Sequence, residues 1–452
     1  MTAIDLTSLR ASLEGAIPSE IATCDAAGIP NVSVISDVHF VDPEHVAISY
    51  QFFSKTRANI LANPWASVLL KHPHTCAQHR VSLRYLRTEH EGPLFETMKA
   101  KLAGIASHEG MSGIFRLLGA DIYRVMEIEL VRGDLLPLPQ PPVALLSALR
   151  ASLGQLRFCR DVDSLVATLL ACLEREFRLP HVMLLMADPS CDRLYTVASQ
   201  GYPESGVGAE ILPGQGVIGV AARERTPIRL THATRDYLYG RAIRDALRAS
   251  PMAAQLETEI PLPGLSQSGS QIAVPILGPA PGRDGLLGVL YAESPEEGRF
   301  GYDEEDALMI LAGEIAAILR ECADAAENAQ DIAPPVAAVP VTEGQPLTIR
   351  HYRADDSIFI DDAYLIKGVA GAILWHLLGT FERTGRVEFS NKELRLAPQI
   401  RLPEFSENLE ARLILLRRRL AERSPHLVID KAGRGRFRLN LARPVRLIEA
   451  EA

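Results

Sequence analysis

The chain has 452 residues, 47% of them hydrophobic and 23% charged, too long for one core and ordinary for a globular protein of roughly two to four domains. No run approaches the ~20 apolar residues of a membrane span, and the start, rich in early acids, lacks the apolar segment of a signal peptide, so a cytoplasmic protein without a membrane partner is expected. The net charge of −9 is uneven: residues 401–446 hold 12 Lys/Arg against 5 Asp/Glu, which points to a polyanion or an acidic partner at that end only.

Six cysteines (Cys24, Cys76, Cys159, Cys172, Cys191 and Cys322) are scattered without a Cys-x-x-Cys pair, the pattern of reduced thiols. Two segments read as linkers. One is the proline-rich 135–142, which opens a linker and helix over 135–159; the other is the Ala/Pro-rich 323–346. They separate an N-terminal module (1–134), a central module (160–322) and a C-terminal module (347–448).

In the first module, Val32–Ser36, His45–Tyr50, Ala66–Leu70, Arg80–Leu86 and Ile122–Leu130 read as strands. Leu94, Phe95, Met98, Leu102 and Ile105 form a helical stripe. Many antiparallel strands with few helices predict a small barrel. After the second strand comes Ser54-Lys55-Thr56-Arg57, and Asn63-Pro64 closes the helix that follows. This pattern resembles the pyridoxamine-phosphate-oxidase-like, FMN-binding split barrels. The resemblance implies FMN as cofactor, its phosphate held by Ser54, Lys55, Thr56 and Arg57, and a homodimer with the flavin site at the subunit interface. Hydroxyl and cationic donors converging on a helix start suit a phosphate. The family commonly has two adjacent basic residues after the serine, whereas Thr56 separates them here. The histidines and cysteine of His72-Pro73-His74-Thr75-Cys76-Ala77-Gln78-His79 match no familiar zinc spacing; the segment reads as a polar loop between strands and no metal site is expected.

The central module begins with an amphipathic helix through Val162, Leu165, Val166, Leu169, Leu173 and Phe177. Strands follow at His181–Ala187, Arg193–Ser199, Gln271–Leu277 and Gly285–Ser294, and a helix from Asp303 closes the module. This is an α+β layer order. Leu212-Pro213-Gly214-Gln215-Gly216-Val217-Ile218-Gly219, Ala273-Val274-Pro275-Ile276, Gly288-Val289-Leu290-Tyr291-Ala292 and Phe300-Gly301-Tyr302-Asp303 resemble GAF domains over about 160 residues. The resemblance implies either a dimerising domain without ligand or a small-molecule pocket, which would be lined from 229–270 with His232, Tyr237 and Tyr239 as candidates. Gly214-Gln215-Gly216-Val217-Ile218-Gly219 also satisfies the dinucleotide pattern, but Thr226-Pro227 ends any helix too soon for that use.

The C-terminal module reads as short extended runs, a helix around Ile366–Leu378, a short strand and second helix, a third helix over 406–423, and a closing hairpin over 427–439. Leu409, Leu413, Leu416 and Leu420, then Arg417-Arg418-Arg419, then Gly433-Arg434-Gly435-Arg436-Phe437 resemble the winged-helix output domain of response regulators. The resemblance implies DNA binding through Arg417, Arg418, Arg419, Arg434 and Arg436. The opposite helix face carries Ala411, Ile414, Leu415, Arg418 and Glu422, so a protein partner fits as well. The fold class expected is therefore α+β multidomain: split β-barrel, GAF sandwich, winged helix-turn-helix. The function expected is sensory, coupling flavin or small-molecule sensing to transcriptional regulation. The alternative is an FMN-dependent oxidoreductase with a regulatory GAF domain and a protein-docking tail.

Overall fold

The computed structural model describes residues 5–13, 17–35, 38–50, 55–108, 117–139, 141–188, 192–231, 260–279, 285–327, 345–398, 400, 409–433 and 435–450. The N-terminal module contains α1 (Arg10–Leu13), β1 (Ser19–Cys24), β2 (Pro30–Ile35), β3 (Val38–Asp42), β4 (His45–Tyr50), α2 (Lys55–Ala62), β5 (Trp65–Lys71), β6 (Gln78–Glu89), α3 (Pro93–His108) and β7 (Gly119–Arg132). Its strands form one sheet in the order β2-β1-β5-β6-β7-β4-β3, antiparallel throughout. The sheet is open, with β2 and β3 as edges among the described residues, where a small split barrel is expected from the sequence. Three register shifts interrupt the β6–β7 pairing, and bulges of this kind bend long strands. Alternation sets the buried face: Ala66, Val68 and Leu70 point inward from β5, meeting Ile21, Val81 and Leu83.

The helix expected after the proline-rich segment belongs to the central module. α4 (Leu145–Leu156) buries Ala148, Leu149 and Leu156 in the same core as α5 (Val162–Arg175). Asp161 caps α5 by accepting from the Ser164 amide at 2.9 Å. The sheet runs β10-β9-β8-β13-β12-β11, from β8 (His181–Asp188), β9 (Arg193–Gln200), β10 (Glu210–Ile211), β11 (Ile228–Leu230), β12 (Ser270–Leu277) and β13 (Leu286–Ser294). Between β10 and β11 lies α6 (Gly216–Glu224). A Cβ on Gly219 would sit 2.3 Å from the Leu212 carbonyl oxygen, which is why the turn into α6 requires a glycine there. The two-residue β10 before this turn pairs antiparallel with β9, unlike the parallel strand of a dinucleotide fold. The closing helix α7 (Tyr302–Glu327) continues into the segment read as the second linker.

α4, α5 and α7 share the core on one side of this sheet, while α6 packs on the other. There it meets α3, whose Ala100 is fully buried with Met183, Leu185, Val220 and Ala221. α3 therefore has two working faces. Phe95 and Met98 pack on the N-terminal sheet, and small residues on the other side let α6 approach closely.

The C-terminal module comprises β14 (Leu347–Tyr352), β15 (Ser357–Ile360), β16 (Ala363–Ile366), α8 (Gly368–Thr384), β17 (Glu388–Ser390), α9 (Asn391–Leu396), α10 (Leu409–Arg423), β18 (Leu427–Gly433), β19 (Arg436–Leu441) and β20 (Val445–Ala450). β20 pairs parallel with β14 and ties the two ends of the module together; the sequence reading stopped at the β18–β19 hairpin. The expectation that Ala411, Ile414 and Leu415 face outward is corrected. They are 2%, 3% and 2% exposed, because α10 lies against β9 and α5 of the central module as well as against its own. One hydrophobic core runs continuously through both modules.

Candidate functional sites

In the N-terminal module the basic run opens α2. Lys55 is exposed there. The Thr56 hydroxyl lies 2.7 Å from Ser33 Oγ and accepts from Asn31 Nδ2 at 3.0 Å. Arg57 turns inward: its guanidinium pairs with both Asp121 oxygens and donates to Thr88 Oγ1 at 3.0 Å. Thr88 in turn donates to Asp121 at 2.5 Å and lies 2.7 Å from the Tyr85 hydroxyl. Asp121 is 5% exposed, and a buried carboxylate of that kind requires a cation and hydrogen bonds. The structure thus brings Lys55 and Thr56 to the helix start and gives Arg57 an internal partner. Ser54 lies outside the described residues.

The histidine-rich loop is held by its own backbone. His72 Nδ1 accepts from the amides of His74 and Thr75, both at 3.2 Å. Among the described residues no group of three or more His, Cys, Asp or Glu is placed to hold a metal ion.

In the central module His232, Tyr237 and Tyr239 lie outside the described residues. The sheet face that carries Met183, Leu185 and Tyr291 ends in a polar group that the sequence reading passed over. Glu293 is 2% exposed and accepts from the Leu265 amide at 2.9 Å. It stands in register with His181 on β8 and Gln271 on β12. The Tyr202 ring lies 5.8 Å from that of His181, and burial, followed by the Glu293 charge, makes the Tyr202 hydroxyl a weaker acid. Among the described residues His181 Nδ1 is buried without a hydrogen-bond partner. The signal was available: Glu293 is the one charged residue in the apolar run Leu286–Ser294.

At the junction of the central and C-terminal modules, the cations of α10 meet carboxylates. Arg412 pairs with Asp188, and its guanidinium lies over the Tyr195 ring at 3.6 Å. Burial pushes Arg412 down to about 9, which leaves it charged at neutral pH. Arg417 bonds Asp163 at 2.6 Å and the Ile429 carbonyl at 2.9 Å. Lys431 reaches Asp161 at 2.6 Å, and Lys367 reaches Glu210 at 3.5 Å. Arg419 turns back to the Leu365 carbonyl and to Glu422, at 2.9 and 3.2 Å. Arg418 is held below its ordinary value by burial, despite the nearby Asp163 and Glu422. Arg436 lines a cleft with Asp161, Asp163, Glu410 and Lys431; Arg434 lies outside the described residues. Of the arginines singled out from sequence, Arg417 and Arg419 thus bond to partners inside the molecule.

No protein-family model matches the chain, and no curated protein matches it. Solved structures similar to parts of it include an FMN-binding protein from Syntrophomonas wolfei subsp. wolfei, 20% identical, covering 28% of this chain and 87% of that one, with a TM-score of 0.25. A second is the GAF domain of an Acinetobacter phosphoenolpyruvate-protein phosphotransferase, 18% identical, covering 41% and 96%, with a TM-score of 0.30. A third is the free methionine-R-sulfoxide reductase of Neisseria meningitidis, 22% identical, covering 40% and 91%, with a TM-score of 0.31. The chain itself is a mixed α+β multidomain protein built on open sheets, and among the described residues no helix is long and apolar enough to cross a membrane.

Proposed function

We propose that the chain is a sensory regulator in which an FMN-type N-terminal module and a GAF-type central module control a nucleic-acid-binding C-terminal module. The observation that carries this reading is the burial of α10 against β9 and α5. Tight packing is bistable rather than continuously deformable, so a ligand that shifts the central sheet shifts the seat of α10.

In this reading FMN is the cofactor of the N-terminal module. Lys55 and Thr56 at the start of α2, with Ser54 just before them, take its phosphate. A second copy of the chain covers the exposed edge where Ile29, Val32 and Val34 are 55%, 66% and 71% exposed. The central ligand sits on the face that ends at Glu293, and a buried carboxylate favours a ligand that offers a cation or a hydrogen-bond donor. The test is direct. Purified protein should carry a flavin absorption spectrum and scatter light as a dimer, and hydrogen exchange in α10 should change when the central ligand binds. Colourless monomeric protein would remove the flavin part; unchanged α10 exchange on ligand binding would remove the coupling.

A further inference from the structure

The four described ion pairs that join the central and C-terminal modules share one polarity. The cations Lys367, Arg412, Arg417 and Lys431 come from the C-terminal module, and the anions Glu210, Asp188, Asp163 and Asp161 come from the central one. Three of the four cations stand on α10 and β18, the helix and hairpin whose basic character suggests phosphate contact. Arg417 Nη1, at 2.6 Å from Asp163 Oδ2, would be needed by a backbone phosphate in the same position. The apolar face of the same helix, with Ile414 and Leu415, is sealed against the central module.

We propose that this acidic row stands in for nucleic-acid phosphates, so that docking of α10 on the central module and binding of nucleic acid exclude each other. The inference rests on the reading of the C-terminal module as nucleic-acid-binding. Two kinds of contact set the latch. The buried Ile414 and Leu415 side chains supply a non-directional seal, and the ion pairs supply register and occupy the donors. The route for a signal is short, because β9, which touches α10, pairs with β8, and β8 pairs with the Glu293 strand β13. Ligand-driven change at the Glu293 end of the face would thereby loosen or tighten the seat of α10.

The full-length chain carries the test, with a fluorescent 20-base-pair DNA duplex as probe and hydrogen exchange in α10 as an independent measure of docking. The double variant Asp161→Asn, Asp163→Asn removes two charges, and Asn keeps the cap on α5. Exposed pairs of this kind are individually weak, so the change should raise α10 exchange and increase DNA affinity by about tenfold. Each freed cation should also steepen the salt dependence, by about 0.9 in the logarithmic slope. Should the double variant leave α10 protected, Leu415→Glu forces a charge into the seam and opens it. An opened variant that binds DNA only as well as the wild type would overturn the exclusion and leave the nucleic-acid reading standing. An opened variant that retains no DNA at low salt, like the wild type, would remove the nucleic-acid reading itself.

Discussion

The two basic runs of this chain, Lys55–Arg57 and Arg417–Arg419, look alike in sequence and differ in what neutralises them. Arg57 is paired with Asp121 on β7 of its own module, with both side chains nearly buried (12% and 7% exposed). Arg417 is paired with Asp163 on another module, with both side chains about one-third exposed (32% and 37%). The first pair forms with the sheet and is lost only when the module unfolds. In the proposed latch the second separates while both modules stay folded. On that proposal a cationic run makes a permanent strut or a releasable contact according to where its partner lies.

The largest effect should come from the buried pair across the junction. Arg412→Met removes the cation from Asp188, which is 7% exposed, and breaking a buried pair costs about 3–5 kcal/mol. Urea denaturation should show that loss, and Asp188→Asn combined with Arg412→Met should recover most of it. A single variant within experimental error of wild type would break the view that this junction is a folded interface.

Arg57 and Lys55 sharpen the contrast within the first module. Arg57→Ala should destabilise by about 3 kcal/mol, because it strands Asp121. Lys55→Ala, at an exposed helix start, should stay within about 0.5 kcal/mol yet weaken FMN about tenfold, as loss of one charge-assisted contact does. Equal stability losses in the two variants would show that Lys55 has a structural partner, and unchanged flavin content would remove its phosphate role.

Much of the architecture was legible because it is written in local periodicity. The strands around Leu184, Val274 and Leu290 are short apolar runs, and α5 and α7 carry helical stripes, so their positions follow from side-chain spacing alone. β1 and β3 were missed, as their mixed composition, Ser19–Cys24 and Val38–Asp42, shows neither a clean alternation nor a long apolar run. The helix α4 is legible after the prolines, but its place in the central core depends on α5 and α7 covering its apolar residues, which its own sequence does not show. The junction could not be read at all. Whether Ile414 and Leu415 meet solvent, a partner or the same chain depends on contacts more than 200 residues apart, such as Arg412 with Asp188, where the separation is 224.

The smallest expected effect concerns pH and separates the acids of the junction from one another. Asn391 Nδ2 donates to Glu410 at 3.2 Å, and Glu410 lines the cleft with Asp161 and Asp163. Burial, then the Asp161 charge, pushes the Glu410 carboxyl above the usual range, against the opposing pull of Lys431. Its docked form therefore favours the proton more than its free form does. The resulting contribution to docking is complete below the ordinary carboxylate range and is lost as pH rises through the raised value. Asp161 behaves oppositely: burial alone would raise it, but the Lys431 and Ser164 contacts hold it low. Its contribution is present above the ordinary range and disappears as pH falls through the lowered value. Docking should accordingly be tightest in mildly acidic solution and loosen on the alkaline side of that optimum, as pH rises through the raised Glu410 value, read as protection of α10 against pH after correction for intrinsic exchange. Glu410→Gln should flatten the alkaline arm and leave the acid arm, while Asp161→Asn should do the reverse. If Glu410→Gln keeps the wild-type alkaline slope, the titrating group lies elsewhere and the junction acids act only as fixed charges.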